Sequence, residues 1–440
     1  MTRCHWVGAA FMLLTSSAWG LNVSAADSLL GPQTGDVTWS LRQHGLTWET
    51  PQMTLHLDPW FTVRHLTGTP PTTSEAAVSP WDNLRGARFE AALDGVWHVE
   101  GSLEEMQGWA GAWDAATMTE STALPGWGRA KLTSGGRVDV ARARVTSRYS
   151  HISTQGDSLL FSTAYAPVQW GALPSPLTFS GEAASFPRAS VTWVRSNGLS
   201  VQTTAARWTG TERGPAGGST ESLFRQTDAG WVDFGWRHPS RASLGLLGGV
   251  LRERPWTGEL ATDSLGRFAW RSWLSLSSTW RSASDNVRFS GEWTSHQGWG
   301  VATSWRPSEA WAFTLGTTRL PALDDDRIAL RNAGTPVSAA LRPTGSADAL
   351  WRTELHGRWR TSTWTAGGRA AAVGTFKVAE AWVAYALQKT WPLHVTLGAE
   401  LWQGATHPSL PSEGARLRVG VSRRLGMTPG STTFGAPCPP

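Results

Sequence analysis

Along much of this chain, apolar and polar side chains alternate with a period of two, over stretches too regular for a helix. Between Trp351 and Arg360, the residues Trp351, Thr353, Leu355, Gly357 and Trp359 share one face. Arg352, Glu354, His356, Arg358 and Arg360 share the other. Successive side chains of a strand point to opposite faces, whereas a helix would smear these groups around its circumference. The same pattern sets Val395, Leu397, Ala399 and Leu401 against His394, Thr396, Gly398 and Glu400. It sets Ala415, Leu417, Val419 and Val421 against Arg416, Arg418, Gly420 and Ser422. From Phe268 to Trp280, the residues Phe268, Trp270, Leu274, Leu276 and Trp280 fall on one face, and Arg271, Trp273, Ser275 and Thr279 on the other. Each stretch is a ribbon with one apolar and one polar side.

Ribbons of this length fit a transmembrane β-barrel, whose strands need about 9 to 11 residues with apolar groups facing lipid. No stretch after the N-terminal segment approaches the roughly 18 consecutive apolar residues of a membrane helix. The longest candidate, Leu244 to Leu251, is short and rich in Gly. The competing architecture is a soluble β-sandwich, and the tryptophans argue against it. The chain holds 29 Trp but only 3 Tyr. Many mark the ends of alternating runs: Trp270 and Trp280, Trp299 and Trp305, Trp351 and Trp359. Those are interface positions in a barrel, where an amphipathic ring is half apolar and half wet. Trp280 and Trp359 are therefore expected at the bilayer interface, with Leu274 and Leu355 in the lipid band. The fold class expected is all-β, an antiparallel outer-membrane β-barrel of about 18 strands.

Barrels of this kind pair short periplasmic turns with longer outer loops. The larger Gly- and Pro-rich breaks are Leu66 to Gly86, Gln107 to Gly136, Thr209 to Glu221, Leu320 to Asp348 and Gln403 to Gly414, and these are the candidate extracellular loops. Arg3, the apolar run Val7 to Leu14 and the small residues ending at Val23-Ser24-Ala25 form a secretory signal pattern. Three parts are expected: a signal peptide over 1–25, a barrel over 26–425 and a C-terminal tail over 426–440. Ala26 to Gly35 is too short for a separate periplasmic module, and the last strand is expected to stop near Leu425. Once Cys4 leaves with the signal, Cys438 is a lone cysteine, so no intrachain disulfide or Cys-based metal site can form. The charge balance of 39 basic to 34 acidic residues is far from that of a nucleic-acid-binding chain.

Motifs for chemistry are sparse. Gly156-Asp157-Ser158-Leu159 spells the opening of an esterase block, but no Asp-x-x-His follows Ser158, and a Gly-Asp turn opening a strand explains the same letters. Zinc-protease, Walker-loop and nucleophile-elbow patterns are absent. Asp324-Asp325-Asp326 reads as a solvated loop tip. No catalytic residue, metal site or cofactor is assigned. The polar faces are more informative. Arg142, Arg144 and Arg148 share one face of a strand, and Arg271, Arg352, Arg358, Arg360, Arg416 and Arg418 extend a set of lumen-facing guanidiniums. Arg binds carboxylate and phosphate bidentately, which points to an anionic ligand. The competing reading is an interior laced with ion pairs to Glu100, Glu104, Glu292, Glu354 and Glu400.

One region carries a resemblance. Arg85-Gly-Ala-Arg-Phe-Glu90, Gly101-Ser-Leu-Glu-Glu-Met-Gln-Gly108 and Pro125-Gly-Trp-Gly-Arg-Ala-Lys131 occur in order. Gln169-Trp-Gly-Ala-Leu-Pro-Ser-Pro-Leu-Thr-Phe-Ser180 and Ala183-Ala-Ser-Phe-Pro-Arg188 follow. This resembles the Wzi-like capsule-assembly barrels and related barrels of gliding Bacteroidetes, closely over about a quarter of the chain. The resemblance implies an 18-stranded barrel in the cell outer membrane that binds surface polysaccharide without catalysis. The partners expected are an anionic capsular or exopolysaccharide, the lipid bilayer and the barrel-assembly machinery, with no nucleic acid. The candidate polysaccharide-binding residues are Arg142, Arg144, Arg148, Trp170, Phe179 and Arg188, with Trp170 as stacking platform. If the segment instead folds inward only to plug the barrel, Trp170 packs as core. A diffusion porin for small anions is the main alternative, followed by a barrel hydrolase.

Overall fold

The computed structural model describes residues 36–39, 45–68, 81–109, 123–124, 127–132, 137–171, 173, 176–179, 183–213, 224–238, 241–254, 270–284, 286–295, 298–320, 331–332, 335–336, 350–388, 391–404 and 412–424. Eighteen antiparallel strands close into a ring. They are β1 (Met53–Gly68), β2 (Trp81–Leu93), β3 (Trp97–Gly108), β4 (Val138–Ile152), β5 (Ser158–Ala166) and β6 (Phe186–Val194), then β7 (Leu199–Arg213), β8 (Phe224–Arg237), β9 (Ala242–Glu253), β10 (Arg271–Arg281), β11 (Val287–Thr294) and β12 (Trp299–Ser308). The remainder are β13 (Trp311–Leu320), β14 (Leu350–Arg360), β15 (Trp364–Val373), β16 (Phe376–Gln388), β17 (Trp391–Gln403) and β18 (Glu413–Arg424). Each pairs with the next, and β18 returns to β1 in a register that puts Val421 opposite Val63. A short hairpin, Asp36–Trp39 with Leu46–Glu49, adds to the start of β1 beside the end of β18. The described residues contain no helix.

Closure explains why the ribbons can be so long. A sheet closed on itself leaves no unpaired edge, and lipid cannot satisfy one. The alternation then sorts side chains into lipid and lumen. Leu274, Leu276, Leu355, Leu397 and Val419 face outward and are exposed, while Ser275, Arg352, Glu354, Glu400 and Arg418 face inward and are buried. The expected faces of all four ribbons are those observed, including Trp280 and Trp359 on the outer face.

The two ends of the barrel differ. At one end lie both chain termini of the ring and a set of tight turns. Asp94-Gly95, both with positive φ, turns β2 into β3, and Asn197-Gly198 turns β6 into β7. At the other end the connections are 69–80, 109–137, 167–185, 214–223, 254–270, 321–349 and 404–412, with short ones only at 295–298 and 374–375. By the rule that short turns are periplasmic, the second end faces outward. All five expected outer breaks fall there, each beginning inside a strand: residues 66–68 and 81–86, for example, are strand. The 254–270 connection was not expected.

Tryptophan divides into two populations. Trp97, Trp193, Trp236, Trp280, Trp305, Trp311 and Trp364 ring the short-turn end on the outer face. Trp81, Trp270, Trp293, Trp299 and Trp351 ring the long-loop end. Trp60, Trp208, Trp231, Trp273 and Trp402 point inward and are buried. The sequence reading explained the tryptophan excess by interface girdles, which the inward five do not join; of these it had placed Trp273 on the polar face. Residues 1–35 and 425–440, which include the signal segment, the tail and both cysteines, lie outside the described residues, as do Asp324, Asp325 and Asp326.

Candidate functional site

A ring of 16 to 18 strands is wide enough to leave an aqueous channel unless something fills it. Here the described residues of the 167–185 connection between β5 and β6 turn into the lumen. Phe179 has no exposed surface and packs on Trp231 of β8 at 4.8 Å and Trp273 of β10 at 6.2 Å between ring centroids. Phe186, Trp208, Ala229, Leu247 and Leu251 complete that cluster, with Val168 and Trp170 against its edge. The Trp170 N–H donates to the Phe179 carbonyl at 3.1 Å, so the two residues form a small bridge across the segment.

The other half of the segment reaches further. Leu173 and Leu177 enter a second cluster with Leu124 and Ala130 from the 109–137 connection. That cluster joins Met106, Val138 and Val140 on β3 and β4 to Leu320, Val373, Phe376 and Trp402 on β13 and β15 to β17. A single apolar core thus touches walls on different sides of the lumen, near the long-loop end.

Glu292, inward on β11 and 5% exposed, ties the segment down. Its carboxylate accepts the Leu173 N–H at 3.0 Å and the Leu177 N–H at 2.8 Å. The next residue, Thr178, donates from Oγ1 to Ser275 Oγ at 2.7 Å. Gly171 permits this seat: its φ is +108°, and a Cβ there would lie 2.0 Å from Glu292 Oε1. Gly300 does the same for β12, where a Cβ would sit 2.7 Å from Leu173 Cδ1. The sequence reading grouped Glu292 with the possible partners of arginine. No sequence signal separated it from the other inward glutamates, because its role depends on a segment over a hundred residues away.

The arginine ladder is on β4 as expected, facing the lumen. Arg142 pairs with Glu104 and lies over the Trp127 ring at 4.1 Å. Arg144 stands opposite Ser102, and Arg148 pairs with Glu100 at 3.1 Å with its side chain half exposed. Arg188, on β6, donates to the carbonyls of Ala166 and Pro167, the latter at 3.0 Å. It braces the start of the inward segment. Trp170 and Phe179 pack instead toward β8 to β10, where the Trp170 ring passes close to Gly245. The structure therefore brings Arg142, Arg144 and Arg148 together and places the aromatic pair on another sector. With the segment seated, no ligand reaches the Phe179 ring.

Several of the other inward arginines are held by acids, whereas Arg358 lies near Arg360 and Arg306 instead. Glu354 meets Arg352 at 2.7 Å, Arg369 at 3.2 Å and His356 at 3.2 Å. At the closing seam Arg418 binds both oxygens of Glu400 at 3.0 and 2.9 Å, Arg416 lies over Trp402, and Arg64 meets Asp82 at 2.9 Å. Of the five glutamates named from the sequence, Glu100, Glu104, Glu354 and Glu400 make these arginine pairs. The Gly156-Asp157-Ser158-Leu159 letters form the β4–β5 turn: Gly156 has φ +82°, the Asp157 N–H donates to Ser153 Oγ at 3.2 Å, and Asp157 Oδ1 accepts the Ser196 N–H at 3.1 Å.

No family model and no curated protein matches the chain. Solved structures do. The Escherichia coli Wzi structure, titled as an outer-membrane protein involved in group 1 capsule assembly and a carbohydrate-binding β-barrel, aligns with TM-score 0.50 and 11% identity, over 82% of this chain and 83% of that one. Pseudomonas aeruginosa OpdK aligns with TM-score 0.44 and 10% identity over 84% and 98%. Acinetobacter baumannii OccAB4 gives 0.43 and 8% over 84% and 97%. At such identities the likeness is one of fold: this is a closed, 18-stranded barrel of the outer-membrane type.

Proposed function

We propose that the protein is a non-enzymatic outer-membrane barrel that binds an acidic surface polysaccharide and keeps its lumen closed. The observation that carries this reading is the apolar core across the lumen, built from the 109–137 and 167–185 connections and pinned by Glu292. A pathway for small polar solutes is lined by water-accessible polar groups, whereas this cross-section is packed with Leu, Phe and Trp. The segments that fold inward are also those whose residues resemble Wzi-like barrels. Wzi is described as a carbohydrate-binding β-barrel, in keeping with this reading. Arg142, Arg144 and Arg148 supply guanidiniums for uronate or phosphate groups, with Arg188 bracing the segment that carries Trp170. Phe179 serves beneath Trp170 as support.

The test is binding of the host's own capsular or exopolysaccharide to the refolded barrel at low and raised salt. Binding should weaken as salt screens the ion pairs over a Debye length of about 8 Å. It should weaken again in an Arg144→Ala/Trp170→Ala double variant that still shows a folded, heat-modifiable band. Unchanged binding in that variant removes the site, and steady anion conductance by the wild type transfers the protein to the porin reading.

A further inference from the structure

On the outer wall, near the long-loop end, arginine replaces apolar residues on the lipid-facing side. Arg207 of β7, Asp228 of β8 and Arg252 of β9 are direct cross-strand neighbours. They share the outward face with the exposed Phe234 and Trp236 of β8 and Leu244, Leu246 and Val250 of β9. Along β9 the outward row is apolar from Leu244 to Val250 and then becomes Arg252, followed by Arg254 past the strand end. Asp228 accepts from Arg207 Nε at 2.9 Å and meets Arg254 Nε at 3.3 Å. Arg252 lies over the Trp270 ring at 4.7 Å, and among the described residues it meets no carboxylate. Two guanidiniums share one acid and the third has none, so the described residues of the patch carry a net charge of +2 on this face (3 − 1).

A cation on the lipid face costs most at the midplane and least at the interface. The patch begins one outward position past Val250, at the level of the exposed Trp270. Beside it is a groove of about 710 Å³ lined by Val145, Tyr165, Pro187, Ala205, Arg207 and Asp228. Small outward residues, Ser147, Thr163 and Ala205, make the depression, and Tyr165 borders it. An apolar trough in the bilayer band that ends at an unbalanced set of guanidiniums fits an acyl chain with an anionic head. We infer that Arg207, Arg252 and Arg254 form a site for a phosphate-bearing lipid of the outer leaflet, with an acyl chain in the Val145–Ala205 groove. Guanidinium forks suit phosphate oxygens, and Trp270 supplies the aromatic anchor at headgroup level. The site is on the outer wall, so it stands apart from any ligand of the lumen.

The test is native mass spectrometry of the detergent-purified protein titrated with three probes: diphosphorylated lipid A, the same lipid stripped of its phosphates, and inorganic phosphate. The phosphorylated lipid should be retained. Loss of its phosphates should weaken retention about a hundredfold, at about fivefold per guanidinium engaged. Inorganic phosphate should not displace it. An Arg207→Gln/Arg252→Gln/Arg254→Gln variant should lose a similar factor while keeping its heat-modifiable band. If the triple variant does not fold, Arg252→Gln alone leaves Asp228 and its partners in place and should cost about fivefold. Equal retention of both lipids, displacement by inorganic phosphate, or no change in the variants would overturn the site.

Discussion

Glu354 shows how much a single inward residue carries. It is 3% exposed and sits among Arg352, Arg369 and His356. In a closed interior this carboxylate is what makes two buried guanidiniums tolerable, because removing one partner leaves uncompensated charge. Glu354→Gln should therefore destabilise the barrel by about 3 to 5 kcal/mol, read by denaturant unfolding in detergent. Its neighbour Leu355 is 49% exposed toward lipid. Leu355→Arg should cost about 2 to 4 kcal/mol if it lies near the midplane, through a different mechanism, a charge facing hydrocarbon. From alternation alone, a lumen-facing Glu354 reads as the more tolerant of the two. Alternation assigns the face correctly and says nothing of partners on neighbouring strands, which register supplies. A stable Glu354→Gln barrel would show that the Arg352 cluster is solvated.

The inward segment 167–185 is the element on which the functional reading turns. Its seat depends on a few polar contacts, with Glu292 holding two N–H groups and Thr178 holding Ser275. Glu292→Ala removes the acceptor while leaving β11 paired on both sides. That variant should still close into a heat-modifiable barrel, but with the segment unseated it should show ion conductance in planar bilayers that the wild type lacks. An unfolded variant would mean instead that Glu292 holds the wall. The strands were legible in the sequence because lipid imposes a period of two on every one of them. The segment was legible as a Gly-, Pro- and Ser-rich interruption with Trp170 and Phe179 in it, open both to an outward binding site and to an inward plug. Whether such a stretch projects outward or folds in depends on receptors such as Trp231, Trp273 and Glu292. These lie on strands far along the chain, so no local pattern announces them. The inward tryptophans were missed for the same reason: Trp273 occupies a polar-face position and becomes apolar core only when Phe179 arrives.

At the scale of the whole molecule, an outer wall of leucine, valine and interfacial tryptophan encloses an interior of two kinds. Toward the long-loop end the lumen holds apolar core from two connections, and along the walls it holds arginine paired with acid. The fold class follows from alternation, Trp placement and the missing helical span. The arrangement of the lumen follows from neither. A barrel this wide carries a conducting path unless its own loops block it, so the closed-lumen account has a direct electrical test. Purified wild-type protein reconstituted in planar bilayers should give no steady ohmic steps, while the Glu292→Ala barrel should. Resolved, anion-selective steps from the wild type would contradict the closed lumen and make the Arg142–Arg148 face the wall of a channel.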